Sequence, residues 1–184
     1  ILKVLGNSNI TSITGKFNIN LDPSSIDMSG GNIVINANGG NIYFQADAMN
    51  FGSTINGLSI ASVGGQVMFG TTTPSVLMGI NNVANTGVNL PLFMFGANGA
   101  LKPDFSQIVI GNAAQTGAMF IGTNAQTLTY TSPLVVQNPG GTGTITLAGT
   151  MTDTASYPSS FSVLAGGRIV DTTAAKVSVV TNGA

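Results

Sequence analysis

The sequence predicts an all-β protein built from very short, repeated strands. Three observations support this class: a phrase of two glycines and an amide recurs, apolar-x-apolar triplets follow one another closely, and charged residues make up only 6% of the 184 residues. Helical proteins depend on Ala, Leu, Glu, Lys, Gln and Arg, and this chain has only five basic residues and no Glu. A hydrophobic fraction of 43% excludes a disordered chain, because disorder combines low hydrophobicity with high charge.

The repeated phrase is clearest in residues 30–47, where GGNIVINAN is followed at once by GGNIYFQAD. The apolar-x-apolar triplets begin at Phe17, Ile26, Ile33, Ile42, Met49, Leu58 and Val67. The intervals between them are 9, 7, 9, 7, 9 and 9 residues, a mean a little over 8. Successive side chains of a strand point to opposite faces, so each triplet is expected to be a short strand with its two outer side chains on one face. Gly, Asn, Pro and Ser between the triplets are typical of tight turns.

Strands of three residues must stack on copies of themselves to be stable. Three identical chains can each supply one face of a β-prism or triple β-helix. One chain can instead coil around its own core, with about 18 or more residues per turn. An ordinary sandwich with accidental periodicity is a third alternative. A repeat near 8 favours the intertwined trimer, so residues 1–75 are predicted to be a repetitive, trimeric β-prism or triple β-helix-like shaft and attachment region.

Residues 76–184 are predicted to form a β-sandwich or barrel-like head. Four apolar triplets, each followed by Gly and Asn, recur there at uneven spacing: VLMGIN, FMFGAN, IVIGN and MFIGTN. Such continuous apolar runs indicate strands covered on both faces. Beyond Pro133, TGTITLAGT and AKVSVV alternate between apolar and polar residues. That alternation is typical of half-solvated antiparallel strands.

These short strands with Gly and Asn turns resemble the spike and fibre shafts of contractile-tailed bacteriophages. In addition, GQVMFGTTTPSVLMGI, residues 65–80, is similar to the phrase V-G-I-G-T-T-x-P-S-x-x-L of phage tail-fibre proteins. The matching residues are Phe69, Gly70, Thr71, Thr72, Pro74, Ser75 and Leu77, while Met68 replaces a small residue. The resemblance implies a virion or extracellular fibre or spike that contacts other virion or appendage proteins, and a host surface receptor is a further partner it suggests. It carries no catalytic residues.

The residues available for chemistry are few. The chain has no His and no Cys, which excludes a Ser-His-Asp triad, a thiol nucleophile and imidazole or thiolate metal ligands. Glycosidases generally use two carboxylates, and of the six Asp only Asp22 and Asp27 are close in sequence. We therefore expect no enzyme and assign no catalytic, cofactor-binding or metal-binding residue and no cofactor. A depolymerase ranks behind the structural functions.

Two local patterns have both a structural and a functional interpretation. In LDPSSID, Asp22 precedes Pro-Ser-Ser and is expected to accept hydrogen bonds from its own turn. The alternative is a calcium site formed by Asp22, Asp27 and nearby carbonyls. Six turn asparagines are expected to satisfy backbone groups, with an Asn ladder or a glycan-binding surface as alternatives: Asn32, Asn36, Asn38, Asn41, Asn81 and Asn98. Met and Phe are expected to fill the core or a subunit interface. The threonines lack the regular T-x-T ladders of an ice-binding face.

The charge distribution bears on the partners. A net charge of −1 without a basic run predicts neither nucleic acid nor membrane insertion. No charged residue lies between Asp47 and Lys102. Charge keeps soluble surfaces from sticking, so much of this span is expected to be covered by sister chains or by a larger assembly. The sequence thus predicts a structural virion protein, a homotrimeric fibre or spike for attachment or assembly. The alternative is a capsid decoration (cement) protein or a subunit of an extracellular filament or S-layer.

Overall fold

The computed structural model describes residues 2–4, 7–12, 19–81, 87–123, 126–140, 143–154, 160–171 and 178–180. These residues form short β-strands and one 3-10 turn, Leu92–Met94. In chain order the strands are β1 (Leu2–Lys3), β2 (Asn9–Thr11), β3 (Ile19–Leu21), β4 (Ile26–Asp27), β5 (Val34–Asn36), β6 (Ile42–Gln45), β7 (Met49–Asn50), β8 (Ser59–Ala61), β9 (Gln66–Gly70), β10 (Met78–Ile80), β11 (Val88–Leu90), β12 (Gln107–Ile110), β13 (Met119–Ile121), β14 (Thr127–Tyr130), β15 (Leu134–Asn138), β16 (Ile145–Leu147), β17 (Thr150–Asp153), β18 (Phe161–Ala165), β19 (Ile169–Asp171) and β20 (Ser178–Val180).

The chain is a parallel β-solenoid of about six turns, so the predicted all-β class is confirmed. Its first face holds the sheets β1-β4-β7 and β11-β10-β13-β16-β19, and β7 contacts β11. Its second face holds β2-β5-β8 and β14-β17-β20. Its third face is one six-stranded sheet in the order β3-β6-β9-β12-β15-β18. One chain therefore supplies all three faces around its own core.

The register explains the short repeat. Ile19 pairs with Ile42, and Ile42 pairs in turn with Val67, so each pairing joins strands that lie three repeat units apart in the chain. Each turn thus contains three strand-and-turn units, one on each face. The prediction that three different chains supply these faces is not what the structure shows. After three strands, the same chain comes back to the sheet that contains the first of them. The single-chain solenoid was the alternative interpretation.

The apolar-x-apolar triplets pack as predicted wherever the structure describes them. In IVI, Ile33 and Ile35 are fully buried while Val34 between them is exposed. In IYF, Ile42 and Phe44 are fully buried. The triplet that begins at Phe17 lies outside the described side chains. The outer residues of the triplets thus line a continuous apolar core, and most of the methionines lie in that core too: Met28, Met78, Met94, Met119 and Met151.

An inserted strand interrupts the regular coil after β9. Val67 pairs with Ile42 on one side and with Ile108 on the other. The chain segment from Val67 to Ile108 is much longer than the segment from Ile42 to Val67. β11 follows β10 in the chain, yet it lies on the N-terminal side of β10, next to β7. The backbone at the start of β11 lies very close to the backbone before β10. A Cβ on Gly87 would lie 2.0 Å from the Leu77 carbonyl oxygen, so only glycine fits there. This insertion accounts for the change of sequence rhythm after Gly70.

The strands predicted to be antiparallel in a sandwich or barrel-like head pair in parallel. β16, from TGTITLAGT, lies between β13 and β19 in parallel register, and β20, from AKVSVV, is parallel to β17. The described residues beyond 76 continue the same coil, and the third face crosses the predicted boundary at residue 75 without a break. That residues 1–75 and 76–184 are two domains stays a prediction. The prediction of strands covered on both faces is confirmed for β10 and for residues 108–110 of β12, all of which are buried. It is wrong for FMFGAN, which begins in the 3-10 turn, and for β13, where Phe120 is half-buried.

Candidate functional site: a groove on the third face

The outer surface of the third face carries an unusual column of side chains. Along β6, β9, β12 and β15, the residues in register on the solvent side are Tyr43, Met68, Val109 and Val135. Their neighbours within each strand point inward and are buried. Although Val109 points outward, it is only 3% exposed. The column therefore forms an apolar floor on a surface that normally faces water.

Glutamines border this floor on both sides. At one side the Gln66 amide Nε2 donates a hydrogen bond of 2.8 Å to Gln107 Oε1 on the next turn. At the other side stand Gln45 and Gln137, both half-exposed and without a side-chain hydrogen bond to any described residue. Each primary amide has two donors and an acceptor oxygen. The border can thus form hydrogen bonds with an uncharged surface or ligand.

The floor and its borders line a groove. Its main part has a volume of about 550 Å³. Its walls are Thr71, Thr72 and Pro74 on one strand end and residues 112–114 on the next. A smaller part of about 260 Å³ shares Gln45 and Met68 with it and extends to Tyr43 and Asn20. Among the described residues, Asp22 in this smaller part is the one formally charged group that lines the groove.

Hydrogen bonds fix the walls of the groove. The Asn112 amide Nδ2 donates to the Thr71 carbonyl oxygen at 3.0 Å, which joins the two walls. The Thr71 hydroxyl donates to Gln115 Oε1 at 2.7 Å, and Gln115 Nε2 donates to the Val76 carbonyl oxygen at 2.7 Å. Thr71 and Gln115 are buried, and hydrogen bonds between buried polar groups hold their geometry firmly. The groove is therefore preformed.

Asp47 anchors the corner next to this wall. Its carboxylate accepts hydrogen bonds from the Thr73 N–H at 2.8 Å and from the Thr73 hydroxyl at 2.6 Å. Partial burial raises the pKa of Asp47, but the hydrogen bonds from Thr73 and from the Thr72 N–H outweigh burial and hold the pKa below its ordinary value. The ionised carboxylate therefore contributes to the stability of the fold.

This anchor predicts a pH dependence. Because the folded-state pKa of Asp47 is depressed, its contribution to stability is present above about pH 4 and is lost as the pH falls through the folded-state value. Replacing Asp47 with Asn is expected to make the urea midpoint less sensitive to acidification below about pH 4. A Thr73→Val variant keeps the carboxylate but loses one donor, and we expect an intermediate sensitivity. Equal acid sensitivity of the parent and D47N would contradict the role of Asp47.

Asp22 and Asp27, the candidates for a calcium site, have different surroundings. Asp27 accepts hydrogen bonds from the Ser29 hydroxyl and N–H and from the Asn50 amide on the next turn. The Ser29 bonds chiefly hold the pKa of Asp27 below its ordinary value. Asp22 instead lies 3.4 Å from the Thr72 hydroxyl. The predicted bonding of Asp22 within its own turn is therefore not found among the described residues, because its partner Thr72 lies on a distant turn. Local bonding of this kind occurs at Asp27 instead. No group of three His, Cys, Asp or Glu is found among the residues that the structure describes.

Two of the six turn asparagines, Asn36 and Asn41, are seen to satisfy backbone N–H groups as predicted. Asn32, Asn38 and Asn81 have positive φ angles, which Asn tolerates better than most residues. Asn36 Oδ1 accepts a hydrogen bond from the Asn38 N–H at 2.9 Å. Asn41 has a further role, because its Oδ1 accepts from the Gln66 N–H and its Nδ2 donates to the Tyr43 hydroxyl, both at 2.9 Å. Asn41 therefore positions Tyr43 at one end of the groove. Asn98 is exposed.

A polar cluster inside the coil is a less accessible candidate. Tyr130 pairs in register with Asp153, and both side chains are buried. Burial, together with the Asp153 carboxylate, raises the pKa of Tyr130. The Tyr130 hydroxyl has no hydrogen-bond partner among the described residues. Because solvent does not reach this cluster, the groove is the better candidate for a contact site.

Sequence reasoning missed the groove. Its glutamines are far apart in the chain and belong to no motif that was recognised. A signal was nevertheless present, because Gln66 and Gln107 directly precede apolar triplets, whereas Gln45 and Gln137 directly follow them. Once strands a full turn apart are aligned, these two patterns place the amides on opposite sides of one apolar column.

Comparison with known proteins finds no matching family model, no similar curated protein and no similar solved structure. Within the described residues, no helix has the length and apolar character needed to cross a membrane. The groove offers amides, hydroxyls and aliphatic side chains on a rigid sheet. Such groups can form hydrogen bonds and apolar contacts with an uncharged surface.

Proposed function

We propose that the chain is a structural protein of a virion or an extracellular appendage, a fibre or spike that works as a homotrimer. The observation that carries this proposal is the uncharged surface. No charged residue occurs between Asp47 and Lys102, and that stretch forms most of the third and fourth turns, including β9 in the floor of the groove. A soluble monomer usually keeps charge on its surface, so an uncharged surface favours coverage by neighbouring chains.

The architecture supports a mechanical role. Six parallel strands on the third face form an unbroken ladder along the coil. Each strand of this ladder is hydrogen-bonded to the strands of the turns before and after it, so stretching the coil along its axis would load these hydrogen bonds directly. The resemblance of residues 65–80 to phage tail fibres also supports the proposal, and these residues form β9 and the wall of Thr71, Thr72 and Pro74. In this role the protein contacts other virion or appendage proteins and, at an exposed end, a host receptor. No covalent step is proposed.

The homotrimer proposed here differs from the intertwined shaft predicted from the repeat. Since one chain encloses its own core, three copies would pack side by side as complete solenoids. Closed cyclic assemblies of this kind are common among homo-oligomers. A trimer of this type buries outer faces of the coil and leaves the core of each copy unchanged.

The mass of the purified protein in solution tests the homotrimer. Light scattering over a wide range of protein concentrations is expected to give a species near three times 18.5 kDa at the higher concentrations. A species that stays at 18.5 kDa throughout would overturn the homotrimer. An unboiled SDS gel beside it reports whether the assembly survives detergent.

One observation favours the alternative of a decoration protein or filament subunit. β18 is an edge strand of the described third face, and Leu164 on it and Ile169 on β19 are each 54% exposed. Strand edges can pair with another chain, and head-to-tail pairing of solenoids generates open filaments. Long polymers in electron micrographs, in place of a closed trimer, would favour this alternative.

A further inference from the structure

The groove on the third face has the size and the lining of a site for a small ligand. Its two parts measure about 550 Å³ and 260 Å³, and ligand sites generally occupy about 300–1,000 Å³ with a mainly apolar lining and a few polar groups. Met68 and Val135 on the floor are half-buried, so both keep surface for contact with a ligand. Val109 lies between them in register and closes the base of the site.

The polar groups of the groove favour an uncharged ligand that carries many hydroxyls. Gln45 and Gln137 are half-exposed and have no side-chain hydrogen bond to any described residue. An amide both donates and accepts hydrogen bonds, and so does a hydroxyl. No Lys or Arg lines either part among the described residues, and Asp22 lines the smaller one. An anionic ligand would therefore lack the cations that usually bind phosphate or carboxylate.

The sheet beneath the groove disfavours an extended peptide as the ligand. Each of the strands β6, β9, β12 and β15 is hydrogen-bonded to a neighbouring strand on both sides. Recognition of a peptide by strand addition needs a free sheet edge. Side chains alone therefore face the ligand here. A sugar ring suits such a surface, because its hydroxyls project from the ring edge while the C–H groups of its faces are apolar.

The two free amides set the length of the ligand. Gln45 lies at the end of β6 and Gln137 near the end of β15, three strand spacings apart across the third face. That separation is roughly 14 Å, since neighbouring strands lie about 4.8 Å apart. A single sugar ring is too short to reach both amides. Beyond Gln45, the smaller part of the groove offers the aromatic ring of Tyr43, whose hydroxyl accepts a hydrogen bond of 2.9 Å from Asn41 Nδ2.

From these observations we infer that the groove binds a neutral oligosaccharide that lies across the strands, along the axis of the coil. Its hydroxyls pair with Gln45 and Gln137, and its ring faces contact Met68 and Val135. The site lies within one chain, so this inference goes beyond the proposed function and does not rest on the homotrimer. Among the uncharged strands β7 to β11, only β9 belongs to the third face. Copies that pack through the other two faces therefore leave the groove open.

A glycan array tests the class of ligand. We expect the purified protein to retain neutral glycans of three or more sugar units and to release sialylated and sulfated ones. Titration calorimetry with the best-retained neutral glycan then gives the Kd. This Kd is expected to stay the same in low and high salt, because salt screens only interactions between charges. Retention of anionic glycans alone, or of no glycan, would overturn the inference.

Removing the free amides tests the site. Gln45→Ala and Gln137→Ala are each expected to weaken binding of the long glycan roughly threefold to tenfold, the effect of one lost hydrogen bond. A disaccharide of the same sugar reaches only one of the two amides, so it should lose affinity in one variant and not in the other. Gln126→Ala, at an exposed glutamine outside the groove, is the matched control and should bind like the parent.

The outcomes separate the inference from the homotrimer. Circular dichroism confirms that each variant is folded, and light scattering on the same samples gives the assembly state. A monomer that binds the glycan through both amides supports the inference and overturns the homotrimer, whereas a trimer without glycan binding does the reverse. If Q45A, Q137A and Q126A all bind the glycan as tightly as the parent, the glycan lies elsewhere on the coil and the inference is wrong.

Discussion

Replacing Phe69 with Ala is expected to lower the free energy of unfolding by about 4 kcal/mol. Phe69 is fully buried on β9 and stacks on Phe44 of the preceding turn, with ring centroids 4.9 Å apart and planes 4° from parallel. Phe51 meets both rings edge-on, at 5.9 Å from Phe69 and 6.0 Å from Phe44. The substitution removes one of three rings that all contact one another, and it leaves a cavity that the stacked backbone cannot easily close.

The same substitution at Phe120 provides the control. Phe120 is an outward residue of β13 and is half-buried, so Phe120→Ala is expected to cost about 1 kcal/mol. Urea or guanidinium denaturation followed by circular dichroism measures both changes. A Phe69→Ala variant that loses no more stability than Phe120→Ala would mean that the aromatic stack is not a main support of the coil.

The strands and their burial could be predicted from the sequence because they depend on local chemistry. A triplet such as IVI has only one way to hide two isoleucines in a strand, and the structure buries Ile33 and Ile35 while it exposes Val34. Turn residues are local as well. Asn32 and Asn38 adopt positive φ angles within their own turns, where no distant partner needs to be known.

The number of chains around the core is not a local property. A short repeat unit fits one face of a triangular coil, whether the next face comes from the same chain or from another. The deciding fact is which strands pair, such as the pairing of Ile19 with Ile42 across one full turn of the same chain. A repeat measured from triplet to triplet hides this longer period, because the three units of a turn resemble one another.

Alternating apolar and polar residues also left the strand direction open. In β16 and β17 the inward residues are buried and the outward ones are half-buried, as in the antiparallel strands of a sandwich. Alternation reports that one side of a strand faces a core and the other faces solvent. It does not report which way the neighbouring strand runs, so the predicted head and the observed coil share one pattern.

The groove depends on which strands pair and on the direction in which they run, and neither is a local property of the sequence. Its floor needs Met68, Val109 and Val135 to be in register, and its border needs Gln66 opposite Gln107. These residues lie on different turns, and the inserted strand changes the spacing between two of the turns. No fixed period in the sequence would align them, which explains why the site emerges only from the strand pairing.

The second large effect is expected at Gly111, directly after β12. Its φ is +92°, and a Cβ there would lie 2.0 Å from the Gln137 carbonyl oxygen, a backbone atom that cannot turn aside. Gly111→Ala should therefore force β12 and β15 apart at this end of the third face. We expect a loss of roughly 3 kcal/mol or more, at the upper end of what single substitutions cost.

The loss at Gly111 has two causes, the left-handed backbone conformation and the close approach of the next turn. Gly64→Ala separates them. Gly64 also has a positive φ, +75°, but a Cβ there would meet no atom within 4 Å. This variant is expected to lose only the roughly 1–2 kcal/mol that a left-handed conformation costs an ordinary residue. If thermal or chemical denaturation gives equal losses for the two variants, the close approach between turns is not what limits position 111. A much larger loss at Gly111 would mean that the spacing between turns, beyond the local turn geometry, dictates where glycine must stand in this coil.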